Sequence, residues 1–570
     1  MAGRLLAVAA PAAWAVVLAA ILSWSTEHPL LRAAPLAAWA ALPAACAAAR
    51  WWPGAAAAAA AGAAAGLGAW AKLRRAEAAH IPDEVMGTLA GPPRLVGGGD
   101  TALLRVRLEG YPAPLPVFAE AAPGVEGLAP GTPVGAVVDA RPAERPGIAR
   151  HVATAAEWSA GEPAGPAALA AWVRGRLRGA VERAVGERSQ GLIPGVVLGD
   201  TSLQDAVEQQ AYVDSGLSHL SAVSGANIAL VAGCAAALAT LCGVGPKAGA
   251  VVSLAVLACY VAVVGAEPSV LRAAASGVVG LVAVLRGGRA APLTALGVAV
   301  LALVLVDPDL ACQWGFALSV AATLGIVALS PPLASALRAG TGWPPVCCRA
   351  MAVALAADVA TAPLISAMTG RVSLVAVGAN LLAGPAVAPV TVVGLIAALA
   401  AAVPGLDALS AGLLLLAEPA AFWVATVARV AAGLPGAGVG VSPGVVVAAY
   451  GWLLFLVLCG RAGWAAAAVG LGAAALAVHA HLAGPGPAVP WAELELIAVP
   501  AVDAEDLPAA LEKATAAHPD ADGFVVPGAG GRPRDRPTVL PDGRPVFFPG
   551  RDGEVRLHRD GTQHAADGRF

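Results

Sequence analysis

A membrane all-α polytopic bundle, with a small all-β (OB-like) domain inserted near its start and a short α/β C-terminal appendage, is the fold class this sequence predicts. Three observations predict it. The 570 residues are 58% hydrophobic and only 13% charged, where a soluble domain carries roughly twice that charge. Mean hydropathy is +0.73. Apolar stretches of bilayer-crossing length, such as Leu5–Leu22, His219–Leu241 and Val372–Val403, recur along most of the chain. Because lipid offers the backbone no hydrogen bonds, such stretches are helices. The 67 glycines suit close packing between them.

Residues 1–75 predict two or three Ala-rich spans. The first, from Met1 to Trp24, has a basic start at Arg4 and reads as an uncleaved span, since further hydrophobic segments follow at once. The third, Ala55–Ala71, is almost entirely Ala and Gly. Residues 76–160 are soluble in character. Short runs such as Leu103–Val106, Pro116–Ala119 and Val134–Val138 lie between Gly and Pro turns, the pattern of a small β unit, and an OB-like barrel fits the length. Arg4 and Arg50 favour a cytoplasmic N-terminus, yet Lys72, Arg74 and Arg75 then face outward after three spans; charge leaves the orientation open.

Residues 161–190 predict a basic amphipathic helix. Val173, Leu177, Val181 and Val185 recur every four residues, with Arg174, Arg176, Arg178, Arg183 and Arg188 between and beyond them. Such a helix lies flat on the membrane or offers its basic face to an anionic partner. Residues 191–483 are a dense set of apolar spans with short loops. Residues 484–570 are polar again. They predict a strand (Leu494–Val499), a helix (Leu507–Ala517), a strand (Gly523–Val526) and a Gly/Pro/Arg-rich tail that reads as disordered.

A net charge of −3 excludes a chain-wide polyanion-binding surface, so any contact with nucleic acid is local. The eight cysteines include no Cys-x-x-Cys and read as small core hydrophobes, Cys347–Cys348 being the one redox candidate. No cofactor is implied.

The densest polar chemistry lies in Gly199–Val231: Asp200 and Asp214, then Ser218, His219, Ser221, Ser224 and Asn227 within an apolar run. Such groups cost a few kcal/mol each in a membrane and turn to a bundle interior or a watery cavity. They serve there either as interhelical ties or as a pore lining. On one continuous helix Asp214, Ser218, Ser221 and Gly225 share a face, with His219 and Asn227 nearer the opposite one. A single narrow pore therefore needs a break, expected at Ser224–Gly225.

The run Ser215-Gly-Leu-Ser-His-Leu-Ser-Ala-Val-Ser-Gly225 resembles the "GLxHLLAVSGxH" signature of the ComEC family of competence proteins, with Asn227 at the second histidine position. Further resemblances follow in the family's order. Pro268-Ser-Val-Leu-Arg272-Ala is similar to its "PSxxRA" helix start, with Pro268 suited to a first helical position. Asp307-Pro308 and Trp314–Gly325, which includes Ser319, resemble its "DP…GFQLSFxAxxG" helix. Ala317 replaces the usual Gln there, and Gln313 stands one turn earlier. Asp358–Leu364, Gly370-Arg371-Val-Ser373 and Asn380–Pro385 resemble a third block.

The resemblance implies a non-enzymatic channel carrying single-stranded DNA across the cytoplasmic membrane of a bacterium in natural transformation. The β unit becomes an extracytoplasmic OB-like domain. Its acids outnumber its bases and its aromatics are few, which favours a scaffolding collar over strong strand binding. Many relatives end in a metallo-β-lactamase-like domain with a His-x-His-x-Asp-His cluster. His518, His558 and His564 do not have that spacing, so a separate nuclease is expected. The absence of a Walker A motif points to a cytoplasmic ATP-driven motor, and a DNA receptor is implied beside the membrane lipids.

The candidate channel and signature residues are Asp200, Asp214, Ser218, His219, Ser221, Ser224, Gly225, Asn227, Pro268, Arg272, Gln313, Ser319, Asp358, Arg371 and Asn380. Arg272 either snorkels, pairs with Glu267 or serves the DNA path; Asp358 needs a neutralising partner such as Arg371. A secondary transporter or lipid-handling protein predicts internal repeats, and none is evident. An inactive competence paralogue is the other alternative.

Overall fold

A computed structural model of the chain describes residues 2–25, 34–96, 101–122, 124–204, 206–265, 267–285, 291–434, 437–461, 464 and 471. It further describes 494–499, 507–518, 521–527, 538–540, 544–553, 555–557 and 563–565. The chain divides into two compact units, Met1–Gly470 and Leu471–Phe570.

The first unit opens with helices α1 (Ala2–Trp24), α2 (Ala34–Ala48) and α3 (Trp52–Ala78). Of these, α1 and α3 are long and apolar enough to cross a membrane, while α2 is shorter. The third Ala-rich segment is thus a longer helix than Ala55–Ala71. Its Lys72 Nζ donates to the Val306 carbonyl at 2.6 Å.

Six strands follow: β1 (Glu84–Leu89), β2 (Arg94–Val96), β3 (Thr101–Leu108), β4 (Leu115–Glu120), β5 (Pro133–Pro142) and β6 (His151–Ala160). The three alternating runs expected to be strands lie within β3, β4 and β5. Pairing runs β1-β5-β6-β4-β3, with β1 pairing β3 to close the ring and β2 appended to β3. The β4–β6 contact is parallel, giving the OB-like barrel expected. Alternation fills it: Ala102, Leu104, Val106 and Leu108 of β3 point inward with Leu115, Val117 and Ala119 of β4. At its base the Tyr111 hydroxyl accepts from the Arg150 and His151 backbone N–H groups. Burial raises the Tyr111 phenol and lowers the His151 imidazole from their ordinary values.

Then come α4 (Pro166–Ala184), α5 (Glu187–Gln190), α6 (Leu192–Leu198), α7 (Ala206–Asp214), α8 (Gly225–Leu241), α9 (Pro246–Val264), α10 (Pro268–Leu285) and α11 (Pro292–Val306). A 3-10 turn, Pro308–Cys312, leads to α12 (Trp314–Thr341), α13 (Pro345–Thr369), β7 (Arg371–Val372), α14 (Ala376–Ala401), α15 (Asp407–Ala432), β8 (Val439–Gly440) and α16 (Pro443–Leu458). In all, the described residues hold 8 helices of crossing length and composition: α1, α3, α9, α10, α12, α13, α14 and α15. The chain is a multi-pass membrane protein by that measure. Large apolar side chains such as Leu415, Leu416, Phe422 and Trp423 of α15 point outward, as a lipid-facing surface requires. Small residues face inward. A Cβ on Gly325 of α12 would lie 2.5 Å from the Ala356 carbonyl of α13, so glycine there lets two backbones touch.

The barrel is fixed to the bundle through the loops at one end of α9, α10 and α11. The Ile148 N–H donates to Asp309 Oδ1 at 2.9 Å. Arg94 meets Glu267 at 3.3 Å and Arg105 meets Asp309 at 4.0 Å. Burial, with Asp309 beside it, raises the Asp307 carboxyl above its ordinary range, and Lys72 and Arg105 oppose that.

The second unit holds β9 (Leu496–Ala498), α17 (Leu507–Ala517), β10 (Gly523–Val525), β11 (Thr538–Val539), β12 (Pro545–Phe547), α18 (Pro549–Asp552), β13 (Val555–Leu557) and β14 (Gln563–Ala565). The strand–helix–strand start is as expected. The tail departs from expectation: its described parts join the mixed sheet β11-β12-β10-β9 and the hairpin β13–β14, around buried Phe524, Val546 and Phe548. His558 lies outside the described residues.

Candidate functional site

Residues 192–224 hold two short helices and two irregular stretches. Helix α6 is buried along its whole length. The segment then follows α14, from Val197 against Gly394 to Gly216 against Ala376. Those α14 positions are 18 residues apart by number, about 27 Å along a helix. Irregular backbone is tolerated inside a membrane protein only where protein buries it or a watery cavity solvates it. Buried Gln204 supplies part of that support, donating from Nε2 to the Gly191 carbonyl at 3.0 Å and the Ser221 carbonyl at 2.9 Å.

The continuous helix assumed for residues 214–227 is therefore corrected. Helix α7 ends at Asp214, which accepts from Gln210 at 2.9 Å, and residues 215–224 are not helical. Helix α8 starts at Gly225, the position expected for a break, with Ser224 as its N-cap accepting from the Asn227 N–H. Asp214, Ser218, Ser221 and Gly225 consequently do not share a helix face. Ser221 is buried and donates to the Ser218 carbonyl at 3.0 Å. Ser218 and His219 are exposed. The His219 imidazole lies beside the Gly216 backbone and the Asn380 side chain, and Asn380 donates to the Ala376 carbonyl at 2.9 Å. The signature histidine and the asparagine of the third motif block thus meet, although 161 positions separate them by number.

Asn227 is buried and uses both ends of its amide. Its Nδ2 donates to the Val196 carbonyl at 2.9 Å, while Oδ1 accepts from Ser224 Oγ at 3.2 Å and from Thr391 Oγ1 at 3.4 Å. One side chain ties α6, α8 and α14.

Other candidates fall elsewhere. Asp200 is 3% exposed and is taken up by Arg178, whose Nη2 lies at 2.6 Å, and by Ser202 at 2.7 Å. Its carboxylate faces no open path. Pro268 opens α10. Gln313 is the residue before α12 and donates to Asp309 Oδ2 at 3.3 Å, which puts it in the barrel joint. Glu267 pairs with Arg94 rather than Arg272. Asp358 accepts from the Tyr450 hydroxyl at 2.6 Å instead of pairing with Arg371, and Arg371 donates to the Gly438 carbonyl at 3.2 Å. Arg272 is 7% exposed and donates from Nε to Ser319 Oγ at 2.6 Å.

The basic helix α4 is likewise corrected. Arg174, 3% exposed, points inward and donates to the carbonyls of Val263, Val264 and Leu198, the C-terminal ends of α9 and α6. Arg176 donates to the Ala401 carbonyl at 2.7 Å, at the end of α14, and to Asp407 at 2.7 Å. Cations at helix C-termini complement the macrodipole, so this basic character ties helix ends together. Sequence reasoning missed Gln204, Thr391 and Tyr260, whose hydroxyl donates to the Val197 carbonyl at 2.7 Å. Thr391 and Tyr260 are isolated polar residues in apolar helices, and each of the three has a partner outside its own element. Among the described residues no group of three or more His, Cys, Asp or Glu is arranged to hold a metal.

Residues 196–464 match the family model described as Competence protein. No curated protein and no solved structure matches the chain.

Proposed function

With residues 196–464 a domain of the competence protein family, we propose that this chain is the channel through which single-stranded DNA crosses the cytoplasmic membrane of a bacterium during natural transformation. The observation that carries the reading is the match itself, laid over the interrupted segment. The family's signature falls on residues 215–225, a stretch of irregular backbone carrying the exposed Ser218 and His219. Small polar groups without a dominant charge let a polyanion pass without being held.

The chain itself breaks no bonds in this reading. A cytoplasmic ATP-driven motor pulls the strand, a DNA receptor delivers it, and a separate nuclease removes the complementary strand. The barrel stands outside the cytoplasm as a collar over the ends of α9, α10 and α11. The test is arrival of labelled DNA in the cytoplasm of a strain deleted for this gene and complemented with the full chain or with His219→Ala. We expect arrival to be lost on deletion, restored by the full chain, and reduced at least tenfold by the variant at equal membrane abundance. Normal arrival in the deletion strain would overturn the reading.

A further inference from the structure

We propose that Arg272 and the N-terminus of α8 together form a phosphate-binding station just inside the barrel-side mouth of the channel, through which the backbone of the incoming strand is gripped one phosphodiester at a time. The proposal rests on the channel reading and deepens it.

Arg272 is 7% exposed within the apolar helix α10. Among the described residues its hydrogen bond is the one from Nε to Ser319 Oγ at 2.6 Å, and the counter-ion that the sequence offered, Glu267, is engaged by Arg94 at 3.3 Å. The Nη atoms point at the start of α8: a Cβ placed on Gly225 would lie 2.6 Å from Nη2. That start is the positive end of a 17-residue helix, where unpaired N–H groups favour an anion. A buried cation without a counter-ion is unfavourable by itself, and setting it against a second positive feature makes it more so. An anion that reaches both the guanidinium and the helix start relieves both.

One turn along α10, the Ser276 hydroxyl is buried without a partner and adds a donor on the same face. Glycine at 225 is what lets the Arg272 guanidinium lie against the start of α8. The depth follows from α10 itself. Glu267 holds the barrel through Arg94, Pro268 begins the helix, and Arg272 is four residues on, about 6 Å further in. The ligand is a phosphate monoanion of either a nucleic-acid backbone or a lipid headgroup. The position under the barrel favours the former.

The full chain in phosphatidylcholine nanodiscs is titrated with a short fluorescent single-stranded oligodeoxynucleotide and with its methylphosphonate counterpart, whose backbone is uncharged. Wild type binds the first and not the second. Arg272→Gln weakens binding about tenfold, the loss expected for one charge-assisted contact, and lowers the salt slope of log K by about 0.7, the value for one phosphate on a single strand. Ser276→Asp supplies Arg272 with a resident counter-ion. It should raise the thermal midpoint and weaken oligonucleotide binding together, which keeps the test open where Arg272→Gln does not fold.

Unchanged affinity and slope in both variants, with wild type binding DNA, would overturn the station and leave the channel reading standing. No binding by wild type would overturn the reading beneath it. Loss of the wild-type advantage on adding phosphatidylglycerol would reassign the anion to lipid and overturn the DNA assignment.

Discussion

Gly216 has two separate reasons to be glycine. Its φ of +73° lies in the left-handed region, and a Cβ there would come within 2.5 Å of Ala376 Cβ. The signature run made this glycine conspicuous, but both reasons depend on α14, which is remote in sequence. Gly216→Ala is expected to cost about 2–4 kcal/mol from strain plus overpacking, read as a lower thermal midpoint of the detergent-solubilised chain. A midpoint within a degree of wild type would mean that the segment does not pack against α14 as described. Asn227 shows a different limit of reading by type. It stands where the family signature has its second histidine. The structure uses it as one donor and one acceptor, which a neutral imidazole also offers. The substitution therefore keeps the kind of tie.

At the scale of elements, helix α4 shows how far periodicity reaches. The four-residue apolar repeat identified the helix, and Leu177 and Val181 do enter the core. The arginines were read as one polar face. Arg174, however, lies three residues before Leu177 and seven before Val181, on the same stripe, and its spacing already marked it as inward. What the spacing could not supply was the partners, three carbonyls at the ends of two other helices. Arg174→Met should destabilise the chain by about 2–4 kcal/mol, because it leaves those carbonyls without a charged donor. Arg183→Gln, on the exposed side of the helix, should stay within about 0.5 kcal/mol. Thermal midpoints of the two variants measure the contrast, and equal shifts would return α4 to the membrane surface. The Gly/Pro/Arg-rich tail was misread for a related reason. Its strands are two or three residues long, too short for alternation to register; β11 and β12 join a sheet whose other members lie upstream, and β13 and β14 pair with each other.

For the whole molecule, composition and hydropathy made the membrane bundle legible, and turn spacing revealed the β unit. The docking of the barrel was not legible, because it rests on single contacts such as Ile148 with Asp309 and Arg94 with Glu267. The interruption at residues 192–224 was only half legible. The break before Gly225 was anticipated, while the segment's course along α14 required tertiary structure. That course underlies the central claim, that the strand passes the exposed face of residues 215–225. The direct test places a photo-crosslinking residue at Ser218 in transforming cells and, as a control, at Leu416, which is 67% exposed on the outer face of α15. The account predicts capture of incoming single-stranded DNA from position 218 and none from 416. DNA that reaches the cytoplasm with no capture from 218, or with equal capture from both positions, would contradict it.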